Sequence, residues 1–318
     1  MVGIIYSNQF RIQRTDELMQ IPKISLGSWA FSFGSFAADP WSFDRFIHYA
    51  SEAGYDGVEI SGGRPHPNQD DYDTPAKCKE LKATISNLGL GISAFAPDFK
   101  ENPPAEVETQ DYLKIIQKCL LFCNRLEIDR LRVDTVSSPR GLPSGEYEQN
   151  FGHVALTWRK AAEICRQAGV LLVWEFEPGF FLNKPSEVKR LVEAIDHTNF
   201  KLLFDTSHAY MGAVHGARQA GMPETLRGGE VEYARRLRPF LGHLHLIDSD
   251  GSLHDNTTST HYPLGEGRVD FTGTLKALRP ELDQLKWWCV DYCFWPKAEE
   301  DAKKAVPFVR KLAEEVLK

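Results

Sequence analysis

Leu171-Leu-Val-Trp-Glu-Phe176 is a short apolar run with one acid near its end, and Lys201-Leu-Leu-Phe204 follows about thirty residues later. Between them lies an amphipathic stretch with helical periodicity. A strand, a helix and a second strand in that order form a βαβ unit, whose two strands run parallel. The same alternation extends in both directions. Upstream are Ile24-Ser-Leu-Gly-Ser28, Gly57-Val-Glu-Ile60, Gly91-Ile-Ser-Ala-Phe95 and Leu131-Arg-Val-Asp134; downstream are Gly242-His-Leu-His-Leu-Ile247 and Trp287-Trp-Cys-Val-Asp291. Eight strand signals at spacings of 30 to 45 residues are the number that closes a (β/α)8 barrel, a fold of about 250 residues.

Helix signals support the count. The first two helices are expected over about 41–53 and 74–88, with Asp39-Pro40 leading into the first and Gly54 and Gly89 closing each, where a left-handed residue is needed. In the last helix Val306, Val309, Leu312 and Val316 recur at three- and four-residue steps, an apolar stripe for packing on a barrel. No Gly-x-Gly-x-x-Gly follows the first strand, which argues against a doubly wound dinucleotide fold. The expected organisation is one α/β domain: a short N-terminal arm over 1–22, then the barrel over 23–318 with long loops after several strands.

The chain has 318 residues, 42% of them hydrophobic, with 37 basic residues against 44 acidic ones. This is the composition of a soluble globular protein. Its net charge of -7 argues against sequence-independent nucleic-acid binding, which needs concentrated Lys and Arg. No apolar run approaches the roughly 18 residues of a membrane span, and the run after Met1 is too short for a signal peptide. The six cysteines, Cys78, Cys119, Cys123, Cys165, Cys289 and Cys293, lack Cys-x-x-Cys spacing and read as free thiols in a reducing cytoplasm.

In such a barrel the active site lies at the C-terminal strand ends, and those ends are rich in acids and imidazoles. Strand four ends in Arg132-Val-Asp134, strand five in Glu175-Phe-Glu177, and strand six in Asp205-Thr-Ser-His208; strand seven carries His243-Leu-His245 and then Asp248, and strand eight ends at Asp291. So many carboxylates cannot all stay ionised at close range without a cation. Carboxylates with imidazole and no Cys suit a divalent metal, Mn²⁺ first, with Mg²⁺, Co²⁺ or Zn²⁺ as options. Glu175 and Glu177 point the same way and compete as the strand-five ligand, as do His243 and His245 on strand seven. Asp291 has a purely structural alternative, as a partner of Arg132.

Four segments make the chain resemble the xylose-isomerase-like TIM-barrel superfamily of sugar isomerases and epimerases: 169–179, Phe204-Asp-Thr-Ser-His208, 242–250, and Pro263-Leu-Gly-Glu-Gly267 with Asp270. The resemblance implies a metal held by Glu175, Asp205, His245 and position 291, where this chain has Asp in place of the usual Glu. It also implies proton abstraction α to the carbonyl of a keto-sugar or keto-glycoside, with Glu175 as first choice of base, Asp291 as second and His208 on substrate oxygens. Asp134, His243, Asp248, Arg268 and Trp29 are candidate substrate contacts, and His254 and His261 are weaker ones. The Arg64-Pro-His66-Pro67 loop reads as a stiff turn rather than a phosphate contact.

An aromatic rim of Trp29, Phe31, Phe33, Phe180, Phe181, Phe294 and Trp295 supports an alternative that the resemblance also allows. That alternative is a lyase-type deglycosidase, eliminating the aglycone of a 3-oxo C- or O-glycoside and paired with a small β-rich subunit. A homo-oligomer is equally compatible with the resemblance. An endonuclease of the same superfamily would need more His ligands and a basic groove, and a non-catalytic barrel would bind no metal.

Overall fold

A computed structural model describes residues 21–139 and 144–318. The expected arm therefore lies almost wholly outside the described residues. In chain order the strands are β1 (Lys23–Gly27), β2 (Gly57–Ser61), β3 (Gly91–Ala96), β4 (Arg130–Val133), β5 (Leu171–Glu175), β6 (Phe200–Asp205), β7 (Leu241–Leu246), β8 (Leu253–His254), β9 (Thr258–Ser259) and β10 (Trp287–Val290). All but β8 and β9 pair in parallel in the order β1-β2-β3-β4-β5-β6-β7-β10, and β10 closes back on β1. The eight barrel strands fall on the eight apolar runs to within a residue or two, and the molecule is a single (β/α)8 TIM barrel. The antiparallel β8–β9 pair is a hairpin inside the long loop after β7.

The surrounding helices are α1 (Phe43–Glu52), α2 (Pro75–Asn87), α3 (Thr109–Leu126), α4 (Ser144–Gln167), α5 (Pro185–Ile195), α6 (Thr206–His215), α7 (Gly229–Leu237), α8 (Phe271–Leu278) and α9 (Ala298–Leu317). Pro40 does not start α1. Ser42 is its N-cap, with Oγ accepting from the Arg45 amide, so Pro40 belongs to the lead-in. Gly54 and Gly89 follow α1 and α2 with φ of 84° and 76°, as their positions require. Val306, Val309, Leu312 and Val316 of α9 are all buried.

Closure at the N-terminal end of the barrel depends on small residues. The Trp287 ring lies across Gly57 and Gly91, where an added Cβ would meet it at 2.6 Å and 2.9 Å. The interior is polar at mid-height, with Ser25, Glu59, Ser93 and His243 all fully buried. All six cysteines are free. Among the described residues no helix is long and apolar enough to cross a membrane.

Candidate metal centre and active site

Parallel register brings the charged strand ends to one level. Asp205 pairs with His245, and Glu175 pairs with Leu203, two residues before Asp205. Glu175 is the last residue of β5, Asp205 the last of β6, His245 is in β7, and Asp291 directly follows β10. One ligand atom from each of these four lies within 4.8 Å of the others, and all four residues are buried. His245 Nδ1 is 3.0 Å from Glu175 Oε1 and 3.7 Å from Asp291 Oδ2.

Each carboxylate has one committed side. Asp205 Oδ1 caps α6 by accepting the His208 amide at 2.7 Å, while Oδ2 is buried with no hydrogen-bond partner. Asp291 Oδ1 accepts from Trp29 Nε1 at 2.6 Å and from the Cys293 amide at 2.7 Å, and lies 3.0 Å from His261 Nδ1. Glu175 Oε2 is 2.5 Å from Arg132 Nε. The remaining oxygens face one another across the barrel mouth.

Among the described residues, Arg132 is the one guanidinium that meets these acids. Besides Glu175 it meets Glu177 Oε1 at 2.9 Å and Asp134 Oδ2 at 3.0 Å. The structural alternative for Asp291 is thus corrected: Arg132 reaches the carboxylates of its own strand end and of β5, not Asp291. Glu177 stands apart from the four donors, held by Arg132 and by Thr258 Oγ1 at 3.1 Å, so the donor cluster contains Glu175.

Electrostatics show the same shortage of positive charge. Burial opposes ionisation of Glu175, but Arg132 and His245 hold it down at about 2. Glu177 is pushed up to about 8 by burial and by Glu175. Asp205 is pushed up to about 7 by burial, and Glu175 and Asp291 add to that rise while His261 opposes it. Burial takes His208 down to about 3. Without a cation, protons neutralise part of the cluster. A three-carboxylate, one-imidazole donor set with an unpartnered Asp205 oxygen fits a divalent ion of the harder kind.

Above the donors opens a cleft of about 390 Å³ lined by Trp29, Asp134, His208, His261 and the Glu175–Glu177 edge. His208 Nδ1 is 2.9 Å from Ser259 Oγ of β9, and its ring centroid lies 5.2 Å from that of His261. Trp29, Phe33, Phe180 and Phe294 reach the cleft. Phe31 and Phe181 are buried beneath, and Trp295 packs on Tyr262.

Three of the expected substrate contacts are not brought to the cleft. His243 lies one step lower in the barrel, with Nε2 2.7 Å from Glu59 Oε2, because a two-residue step toward the N-terminus of a strand descends about 6.6 Å. Asp248 turns away and accepts the amides of Ser249, Gly265, Gly267 and Val269. The Arg268 side chain is exposed on the same loop. His254 stacks on Phe294 at 4.4 Å. His66 is buried between Ser28 Oγ and the Trp41 carbonyl, and Arg64 pairs with Asp71, so that loop is structural. Glu59 and the bridging role of Arg132 were not singled out from the sequence. An acid at an inward-facing position of the otherwise apolar Gly57-Val-Glu-Ile60 was the available signal for Glu59.

A closed parallel barrel carrying a carboxylate-imidazole cluster at its C-terminal mouth defines a class of TIM barrels. Within it the chain belongs to the xylose isomerase-like TIM barrel family, whose profile matches residues 47–312. It is similar to fructoselysine 3-epimerase of Escherichia coli O157:H7, 24% identical over 229 residues, covering 69% of this chain and 74% of the relative. It is also similar to inosose dehydratase of Geobacillus kaustophilus, 26% identical over 184 residues and 55% of this chain, spanning 56% of that protein. Among solved structures, a D-tagatose 3-epimerase-like protein superposes with a TM-score of 0.69 at 19% identity, covering 92% of this chain and 98% of the other. Its relatives are sugar epimerases and dehydratases.

Proposed function

We propose that the protein is a divalent-cation-dependent enzyme that abstracts a proton α to the carbonyl of a keto-sugar or keto-glycoside, in the manner of an epimerase or isomerase. The observation that carries this reading is the convergence of Glu175, Asp205, His245 and Asp291 within 4.8 Å beneath a cleft. These four would hold the ion, with Mn²⁺ the best match to the donor set. A bound cation of this kind polarises a carbonyl oxygen as a Lewis acid.

The chain's own groups divide the remaining work. Glu175 is the base: Arg132 fixes its Oε2 at 2.5 Å, and a positioned carboxylate typically contributes about 10²–10⁴-fold. Asp291 is the second choice, because Trp29 Nε1 and the Cys293 amide donate to one of its oxygens and His261 Nδ1 crowds the same atom. His208 and Asp134 face the cleft where they can hydrogen-bond sugar oxygens, and Trp29 walls it.

The test is metal analysis followed by exchange. Purified protein should carry about one Mn²⁺-like ion per chain after loading, and Asp291→Ala should weaken it. In D₂O the loaded protein should introduce deuterium next to the carbonyl of a ketohexose such as D-fructose, D-psicose or D-tagatose, read by mass spectrometry. A folded protein that binds no Mn²⁺ would sink the reading. Elimination is the second reading, favoured by the four aromatic rings at the cleft. In that case a 3-oxo-glucoside with an aromatic aglycone releases it, while free ketoses stay unlabelled.

A further inference from the structure

Below the donor cluster, in the middle of the barrel, is a carboxylate that the proposed chemistry does not use. Glu59 of β2 is fully buried and, among the described residues, has no Lys or Arg in its hydrogen bonds or ion pairs. Its Oε2 lies 2.7 Å from His243 Nε2 and 3.4 Å from Ser93 Oγ; its Oε1 lies 3.2 Å from His245 Nε2. A carboxylate between two imidazoles is an acceptor, so both Nε2 atoms present their hydrogens to it. With Nε2 committed to Glu59, Nδ1 is the nitrogen left to give up its hydrogen to an ion, and Nδ1 is the atom that meets Glu175 and Asp291.

His243 supports the assignment. Its Nδ1 is buried without a partner. With the hydrogen on Nε2 the orphan is an under-used acceptor, whereas the other tautomer would bury an unpaired N–H and leave Nε2 as a lone pair against Glu59. The His245 ring is also held on its face by Trp29, at 5.3 Å between ring centres. Glu59 therefore fixes the hydrogen and Trp29 the tilt.

We infer that Glu59 is the positioning residue of the metal centre, holding His245 in the Nε2–H tautomer and so presenting Nδ1 to the ion. The inference rests on the proposed metal site and concerns a residue that itself touches neither ion nor substrate. A hydrogen-bonded partner behind a ligating imidazole typically changes metal affinity about 10–100-fold.

The affinity experiment uses the full chain and Mn²⁺ without substrate, read from the electron paramagnetic resonance signal of the free ion. Wild type, Glu59→Gln, Glu59→Leu and His243→Gln are compared, with the melting temperature of each metal-free protein as the folding control. Leu has no acceptor and should weaken Mn²⁺ binding by about 10–100-fold. Gln keeps a carbonyl that can accept from Nε2–H and should recover part of that loss. In the Co²⁺-loaded protein the shifted Nε2–H proton resonance should exchange slowly with D₂O in wild type and fast in Glu59→Leu. His243→Gln, which leaves the Glu59–His245 contact in place, should bind Mn²⁺ like wild type.

Equal affinity in wild type and both Glu59 variants overturns the inference while leaving the metal site intact. So does an equal loss in His243→Gln, which would mark general loosening of the interior. A wild type that binds no Mn²⁺ overturns the parent reading instead.

Discussion

Arg132 is the residue on which the charge balance at the barrel mouth depends, since it alone meets Asp134, Glu175 and Glu177. Arg132→Met would take from Asp134, Glu175 and Glu177 the guanidinium they share, leaving His245 beside Glu175. Breaking a buried pair from one side costs on the order of 3 kcal/mol, so the metal-free variant should lose about that much in urea unfolding. Added Mn²⁺ should recover part of it, because the ion replaces missing positive charge. Asp205 gives a second prediction at this scale. Its Oδ2 is the unpartnered donor, whereas its Oδ1 caps α6. Asp205→Asn retains an oxygen for the cap but removes the donor charge, so Mn²⁺ retention by elemental analysis should fall at least tenfold while the protein stays folded.

Two loops show how an element can support a site from outside it. After β7, Asp248 gathers the amides of Ser249, Gly265, Gly267 and Val269 at 2.8–3.0 Å. The loop thus folded contains β8 and β9, which bring Thr258 to Glu177, Ser259 to His208, and, just beyond, His261 to Asp291. Asp248→Ala strands one buried amide and three part-buried ones and should cost about 2 kcal/mol. Gly267→Ala should act alike, since its Cβ would fall 2.2 Å from Asp248 Oδ1. After β2, His66 is buried and lowered to about 4 by burial, although its bond to the Trp41 carbonyl opposes the shift. Its folded pKa lies below the ordinary 6.5, so the unfolded chain takes up the proton first as pH falls. The neutral ring's contribution is therefore complete above about 6.5 and is lost progressively toward pH 4, by about 3 kcal/mol. His66→Gln should flatten that part of the stability–pH curve, measured by denaturant midpoints between pH 4 and 7.

For the whole molecule, a metal bound at the proposed site would be coupled to folding. The four residues of that site come from β5, β6, β7 and the end of β10, and they meet only when the barrel is closed. An ion that binds the native state alone stabilises it by RT ln(1 + [L]/Kd), about 2.7 kcal/mol at a hundredfold excess over Kd. Thermal melts with Mn²⁺ should rise by a few degrees over melts with a chelator, and the gain should vanish in Asp205→Asn.

The barrel was legible because it is written locally. Eight apolar runs and the helical periodicity between them fix element type and order, and eight parallel units leave closure as the way to bury both faces of every strand. Strand ends also pointed to the four side chains that converge, because chain position at a C-terminal end needs no knowledge of packing. What the sequence left open was decided by three-dimensional neighbours. Glu175 and Glu177 point the same way along one strand and share Arg132, and only their other neighbours separate them: His245 beside Glu175, Thr258 beside Glu177. His243 and His245 share a face, and only height in the barrel gives one to Glu59 alone and the other to both Glu59 and the donor cluster. Asp248 looked like a cleft residue until its loop folded around it. Periodicity belongs to the chain and can be read along it; the partner of a buried charge belongs to the closed barrel, across contacts up to 186 residues apart.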